Sequence, residues 1–162
     1  METIPFLDLH RQYLGIADEV KAGWDKVLEK TAFAGGPFVT EFEHDFAVYC
    51  QTNFAAGLNT GTSALHLAML ALGIGPGDEV ILPGNTFIAT AWGISYCGAI
   101  PVFVDCDEYW NIDPEAVEAA ITTRTKAIAA VHLYGQPCKL DVLKAIAQKN
   151  HIYLIEDAAQ AH

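Results

Sequence analysis

Residues 58–82 read LNTGTSALHLAMLALGIGPGDEVIL. The stretch opens on the end of a strand-like run, Phe54–Leu58, and turns through Asn59, Thr60, Gly61, Thr62 and Ser63. An apolar helix is predicted over Ala64–Leu72. Gly73, Gly75, Pro76, Gly77 and Asp78 then stop that helix and lead into a second strand, Glu79–Leu82. Gly and Pro at this density punctuate a chain, because Gly supplies unusual backbone angles and Pro cannot continue a helix. A strand, a helix and a strand joined this way are the unit of an α/β fold.

The same alternation continues toward the C-terminus. Helix is predicted over Phe87–Tyr96, strand over Val102–Val104 and amphipathic helix over Pro114–Ile121. Strand follows over Ala127–Val131, helix over Leu140–Lys149 and strand over Ile152–Ile155. Asp113-Pro114 is a helix start, an N-cap followed by Pro at the first helical position. The strands are nearly continuous apolar runs, as expected when both faces of a sheet are covered. Five such strands separated by helices predict an α/β domain with a mostly parallel sheet and helices on its faces. Toward the N-terminus the pattern changes. Leu9, Tyr13, Ile16, Val20, Trp24 and Val27 are spaced for one helix over 9–30. Gly35-Gly36-Pro37 breaks the chain, and a second helix runs from about Val39 to Cys50 with Phe42, Phe46 and Tyr49 on one face. Residues 1–50 therefore read as an N-terminal helical segment and residues 51–162 as the α/β part. There is no internal repeat and no low-complexity segment.

Composition narrows the function. The chain is 52% hydrophobic and 18% charged, against a usual charged share of about 25%. That excludes a disordered chain. Nine Lys and Arg against twenty Asp and Glu give a net charge of −11. An acidic chain is a poor partner for nucleic acid, which is gripped through its phosphates. Any phosphate bound here must be held mainly by backbone N–H groups. Cys50, Cys97, Cys106 and Cys138 show no C-x-x-C spacing and read as reduced thiols of a cytoplasmic protein. The first residues lack the basic and apolar regions of a signal peptide. Ala47–Gly77 and Val80–Val104 carry no charged residue, yet Gln51, Asn53, Pro83, Asn85 and Pro101 interrupt them. Neither is a membrane span, which needs about 20 mostly apolar residues.

In open α/β sheets ligands bind at the C-terminal ends of the strands. The first strand end opens through Gly61, Thr62 and Ser63 into a helix. Gly61 allows close backbone approach, and the helix start offers unpaired N–H groups and a positive dipole end. This is either a phosphate cradle or a helix start capped by a hydroxyl. It matches neither G-x-G-x-x-G nor the P-loop. Phe87, at the second strand end, either stacks on a flat ring or belongs to the core. His132, at the fourth, reads as a hydrogen-bonded structural histidine. Asp157, at the fifth, is an acid at the end of a buried strand, costly without a cation or hydrogen-bond donors; it either meets such a partner or caps a helix. Asp157 and His162 lack the further ligands a metal site would need.

Taken as a set, these blocks resemble the N-terminal part of the DegT/StrS family of sugar aminotransferases. The resemblance is carried by Ile4-Pro5-Phe6-Leu7-Asp8-Leu9, Phe42-Glu43, Asn59-Thr60-Gly61-Thr62-Ser63-Ala64-Leu65, Leu72-Gly73-Ile74-Gly75-Pro76-Gly77-Asp78-Glu79-Val80, Thr86-Phe87-Ile88-Ala89-Thr90, Val131-His132-Leu133-Tyr134-Gly135 and Glu156-Asp157-Ala158-Ala159-Gln160-Ala161-His162. It implies a fold type I enzyme that uses pyridoxal 5′-phosphate, with residues 51–162 as the first part of the cofactor-binding large domain. It further implies that Gly61, Thr62 and Ser63 hold the cofactor phosphate and that Phe87 stacks on the pyridine ring. Ala159 would pack near the other ring face, Gln160 near the ring hydroxyl, and Asp157 would pair with the pyridinium nitrogen. A carboxylate there favours the protonated ring, which can then act as an electron sink.

The activity implied is amination of a nucleotide-linked keto-sugar, with glutamate as amino donor, by a cytoplasmic homodimer. The family's Schiff-base lysine lies downstream of the Asp-Ala-Ala-Gln block, whereas Lys21, Lys26, Lys30, Lys126, Lys139, Lys144 and Lys149 all precede Asp157. Residues 1–162 are therefore expected to lack the end of the large domain and the small domain, and to be inactive alone. The alternative from another class is a non-catalytic protein that binds the cofactor or a sugar nucleotide. A generic Rossmann-type binder is disfavoured by the missing G-x-G-x-x-G. The resemblance also implies a strand order 1-7-6-5-4-2-3 with strands one to five present here. Phe54–Leu58 is then expected apart from the rest of the sheet, with no ladder to Ile152–Ile155.

Overall fold

The computed structural model describes residues 4–162, which divide into two compact units, one ending at Gly57 and one running Leu58–His162. The first unit holds helices α1 (Leu9–Leu14), α2 (Ala17–Glu29) and α3 (Pro37–Tyr49). The single helix expected over 9–30 is thus two. The Asp8 carboxylate caps α1 by accepting from Arg11 N–H at 3.0 Å. At the other end Gly15, a weak helix former, is the C-cap; its N–H turns back to the Gln12 carbonyl, and Ile16 N–H to that of Tyr13. Ile16 then leaves helical geometry, with φ −126° and ψ 6°, before α2 begins. Gly36 enters α3 at φ 91°, a backbone angle open to glycine, and Pro37 occupies the first turn.

The second unit is the α/β part. Its elements in chain order are α4 (Gly61–Ala71), β1 (Glu79–Pro83), α5 (Ala89–Tyr96), β2 (Ile100–Val104), α6 (Pro114–Ala120), β3 (Thr125–Val131), α7 (Leu140–Asn150) and β4 (Tyr153–Asp157). The strands form one parallel sheet in the order β2-β1-β3-β4. That order is the run of strands three, two, four and five that the family resemblance implies. β1 is buried at all five positions and β3 at all but Lys126, whereas the edge strands β2 and β4 are half-exposed.

Side chains of a strand point alternately to opposite faces, and two cores follow from that. Val80, Leu82, Ala127 and Ala129 pack with Met69 of α4 and Ala91 and Ile94 of α5. Ile81, Ile128 and Ala130 pack with Val117 of α6 and Leu143 and Ile146 of α7. The sheet is therefore covered on both faces, as its unbroken apolar strands require.

The strand expected at Phe54–Leu58 does not form. Residues 54–58 adopt no regular structure and join no ladder, including none to Ile152–Ile155. A strand exists only through its neighbours' N–H and C=O groups. Here Phe54 C=O accepts from the Thr52 hydroxyl at 3.1 Å, and Gly57 N–H donates to Glu43 Oε1 at 2.8 Å. The helix expected from Phe87 starts at Ala89 instead. Phe87 C=O accepts from Thr90 N–H in a tighter turn ahead of α5.

Candidate functional site

The C-terminal ends of β1, β3 and β4 and the start of α4 face one cavity of about 210 Å3. Gly61, Thr62, Phe87, Asp157, Ala159 and Gln160 line it, so six of the seven residues singled out from the sequence come together there. Ser63 is the one that does not line it. Thr60, not Thr62 or Ser63, caps α4: its Oγ1 accepts from Ser63 N–H at 3.0 Å and also donates to Ser63 Oγ at 3.2 Å. Ser63 is thereby turned into the cap. The N–H groups of Gly61 and Thr62, in the first turn, have no intrahelical acceptor and stand at the positive end of the helix dipole. A Cβ built on Gly61 meets nothing within 4 Å. Packing inside the protein does not demand glycine at 61.

Asp157 is the one ionisable side chain among the described lining residues. Its Oδ2 accepts from the Thr90 hydroxyl at 3.0 Å and its Oδ1 from Ala159 N–H at 3.2 Å. The partners that this acid needs are thus neutral donors, and no cation pairs with it among the described residues. Phe87 lies 68% exposed at the cavity mouth, free of the core. Gln160 Oε1 accepts from Tyr134 N–H at 2.6 Å, across the 3-10 turn Leu133–Gly135. Tyr134 takes φ 58° and Gly135 φ 82° there, and a Cβ at Gly135 would come within 3.2 Å of Gln160 C=O. The left-handed backbone at 134–135 is what brings the chain close enough to hold Gln160.

The rest of that loop is pinned from behind. Asn111 Nδ2 donates to the carbonyls of Gln136 and Pro137 at 3.2 and 3.1 Å. Lys139 Nζ pairs with Asp107 Oδ2 at 3.1 Å. Burial pushes the Asp107 carboxyl up, but hydrogen bonds from Lys139 and from Tyr109 and Asn111 N–H outweigh it and hold the group below its ordinary value. Buried His132 is engaged at both ring nitrogens. Nδ1 accepts from Cys138 N–H at 3.2 Å, so the proton sits on Nε2, which faces Glu156 Oε2 at 3.1 Å. This is the hydrogen-bonded structural histidine expected from the sequence. The Cys138 thiol donates to Val131 C=O at 3.1 Å, and burial pushes it up to about 11. All four cysteines are unpaired, Cys97 and Cys138 buried and Cys50 exposed. Among the described residues no helix is long and apolar enough to cross a membrane.

Sequence reasoning missed Thr86 and Thr90. Thr86 lines the cavity, and its hydroxyl lies 2.9 Å from that of Thr90, which reaches Asp157. The available signal was two hydroxyl residues four apart at a strand-to-helix turn.

The DegT/DnrJ/EryC1/StrS aminotransferase family profile matches residues 15–162. The UDP-2-acetamido-2-deoxy-3-oxo-D-glucuronate aminotransferase of Pseudomonas aeruginosa is 47% identical over 159 residues, covering 98% of this chain and 44% of that protein. The crystal structure of Streptomyces venezuelae DesV in complex with a ketimine intermediate superposes with a TM-score of 0.97 at 45% identity, over 100% of this chain and 44% of that one. The Bacillus subtilis NtdA structure with bound cofactor PMP superposes at 0.94 with 34% identity, over 99% of this chain and 38% of that one. The chain spans less than half the length of the curated relatives it matches. Its α/β fold is that of the pyridoxal-phosphate-dependent aminotransferases. Residues 15–162 matched by one profile, and close relatives across nearly all of the chain, establish that the chain belongs to the DegT/DnrJ/EryC1/StrS aminotransferase family.

Proposed function

We propose that this chain forms the cofactor-binding part of an aminotransferase that moves an amino group from glutamate to a keto-sugar carried on a nucleotide, with pyridoxal 5′-phosphate as cofactor. The observation that carries the reading is one cavity that joins an anion-ready helix start, an exposed aromatic face and a single carboxylate. The donor set fits a phosphorylated pyridine. Gly61 lines the cavity with open space around it, nothing lying within 4 Å of an added Cβ, and backbone N–H groups bind a phosphate without the basic residues this acidic chain lacks at the site.

When bound, the cofactor supplies an electron sink for a substrate carbanion. The residues named here do the rest. Gly61 and Thr62 N–H bind the phosphate, and Phe87 and Ala159 sandwich the ring. Asp157 holds a proton at the ring nitrogen, because a carboxylate favours the charged form of its partner. Gln160 has its Oε1 committed to Tyr134 N–H, so its amide NH2 is the free end that donates to the ring hydroxyl. Ser63 serves the phosphate turn through the cap it completes with Thr60. The active protein is a cytoplasmic homodimer.

The test is direct. The full-length gene product is incubated with pyridoxal 5′-phosphate, glutamate and a UDP- or dTDP-linked keto-sugar. Release of 2-oxoglutarate together with an aminated sugar is expected. Tight binding of pyridoxamine 5′-phosphate with no transfer from any amino acid would make the protein a non-catalytic binder instead.

A further inference from the structure

Thr90 lies in the first turn of α5 and is wholly buried, at 0% exposure, between Ala89 and Ala91 on an apolar helix. A buried hydroxyl is costly unless its hydrogen bonds are made, and Val would fill the same space without that cost. Thr90 makes two contacts. Its Oγ1 donates to Asp157 Oδ2 at 3.0 Å and lies 2.9 Å from Thr86 Oγ1.

The direction of the chain follows from counting protons. An ionised carboxylate only accepts, and a hydroxyl has one proton. Thr90 gives its proton to Asp157, so the proton between the two threonines comes from Thr86, whose hydroxyl also has Phe87 C=O as a more distant acceptor at 3.4 Å. The bonds run one way, from Thr86 to Thr90 to Asp157. Ala159 N–H holds the other carboxylate oxygen at 3.2 Å. The two oxygens are thus tied by donors on two different elements, α5 and the turn after β4, and the carboxylate plane cannot rotate without losing one of them.

Resting on the reading that Asp157 faces the cofactor's ring nitrogen, we propose that Thr90 is the positioning residue for that contact, fixing the carboxylate to receive a ring N–H. Thr90 acts through Asp157 and touches no ligand. Thr86 completes the device by filling the Thr90 lone pair from the cavity side.

Calorimetric binding of two probes tests this. One is pyridoxamine 5′-phosphate; the other is its 1-deaza analogue, with CH in place of the ring nitrogen. The full-length gene product should prefer the first. Thr90→Val should cut that preference about ten-fold, the size of a hydrogen bond to a charged group, while leaving affinity for the deaza probe unchanged. Thr90→Ser should restore it. Should Thr90→Val not fold, Thr86→Val removes the upstream donor from a half-buried position and should lower the preference in the same direction. Wild-type preference in whichever of Thr90→Val and Thr86→Val folds overturns the proposal. Asp157→Asn separates the two layers. If it too leaves the preference unchanged, the pairing of Asp157 with the ring nitrogen is wrong; if it abolishes the preference while the Thr90 and Thr86 variants keep it, only the role of Thr90 is wrong.

Discussion

Asp157 and Gly61 sit at the ends of two different elements, and each has a side-chain choice that the fold itself does not demand. Asp157→Asn keeps the shape but puts an NH2 donor in place of one accepting oxygen, so one of the hydrogen bonds from Thr90 and Ala159 must reverse or be lost, and it removes the charge proposed to face the ring nitrogen. Transamination by the full-length gene product should fall by orders of magnitude while the cooperative thermal transition is retained; near-normal turnover would count against the electron-sink role. Gly61→Val places a branched side chain in space now open. Folding should survive, and pyridoxamine 5′-phosphate affinity should drop at least ten-fold in a titration; wild-type affinity would show that the phosphate lies elsewhere. Both residues were legible in the sequence, for a physical reason. An acid closing an apolar strand and a glycine opening a helix are each locally anomalous. Thr90 was not legible, because a Thr within an apolar helix reads as packing and its partner lies 67 residues away. Ser63 was legible as a hydroxyl near the proposed phosphate turn, but which hydroxyl caps a helix depends on one residue of register, and Thr60 takes that place.

At the scale of elements, the sheet is fastened at its N-terminal edge by Glu79. This buried carboxylate on β1 accepts from the Thr122 hydroxyl at 2.5 Å and pairs with Arg124 just before β3. The Thr122 hydrogen bond foremost, then Arg124, holds its carboxyl below the ordinary value. A depressed folded-state pKa gives stability that is present above the unfolded pKa, near 4.3, and is lost as pH falls through the folded value. Denaturant midpoints measured from pH 7 down to pH 3 should therefore decline, and Glu79→Gln should flatten part of that decline; an identical slope in the variant would remove Glu79 from the cause. A second joint is Gly93 of α5. A Cβ there would come within 2.9 Å of Leu65 Cβ and 3.2 Å of the His66 backbone nitrogen on α4. Gly93→Ala should destabilise the fold by about 1–3 kcal/mol through overpacking, read as a lower denaturant midpoint. These joints escape a sequence reading because they are made between residues dozens of positions apart. The helices and strands they join were readable from apolar spacing alone, to within a few residues at the ends. The failures have local causes: Gly15 ends a helix whose apolar spacing continues past it, and residues 54–58 have a strand's composition without a strand's partner.

For the molecule as a whole, the parallel sheet with two covered faces follows from the uninterrupted apolar strands, and the cavity follows from where parallel strands end. No Lys or Arg is among the described residues lining the cavity, which is why the proposed phosphate site is the helix start. Placement of the cofactor therefore tests everything at once. The measurement is a crystal structure of the full-length gene product with pyridoxamine 5′-phosphate. The phosphate is expected on the N–H groups of Gly61 and Thr62, with the ring nitrogen about 3 Å from Asp157. A phosphate seated on Lys or Arg side chains away from that turn, or a ring whose nitrogen points away from Asp157, would contradict it.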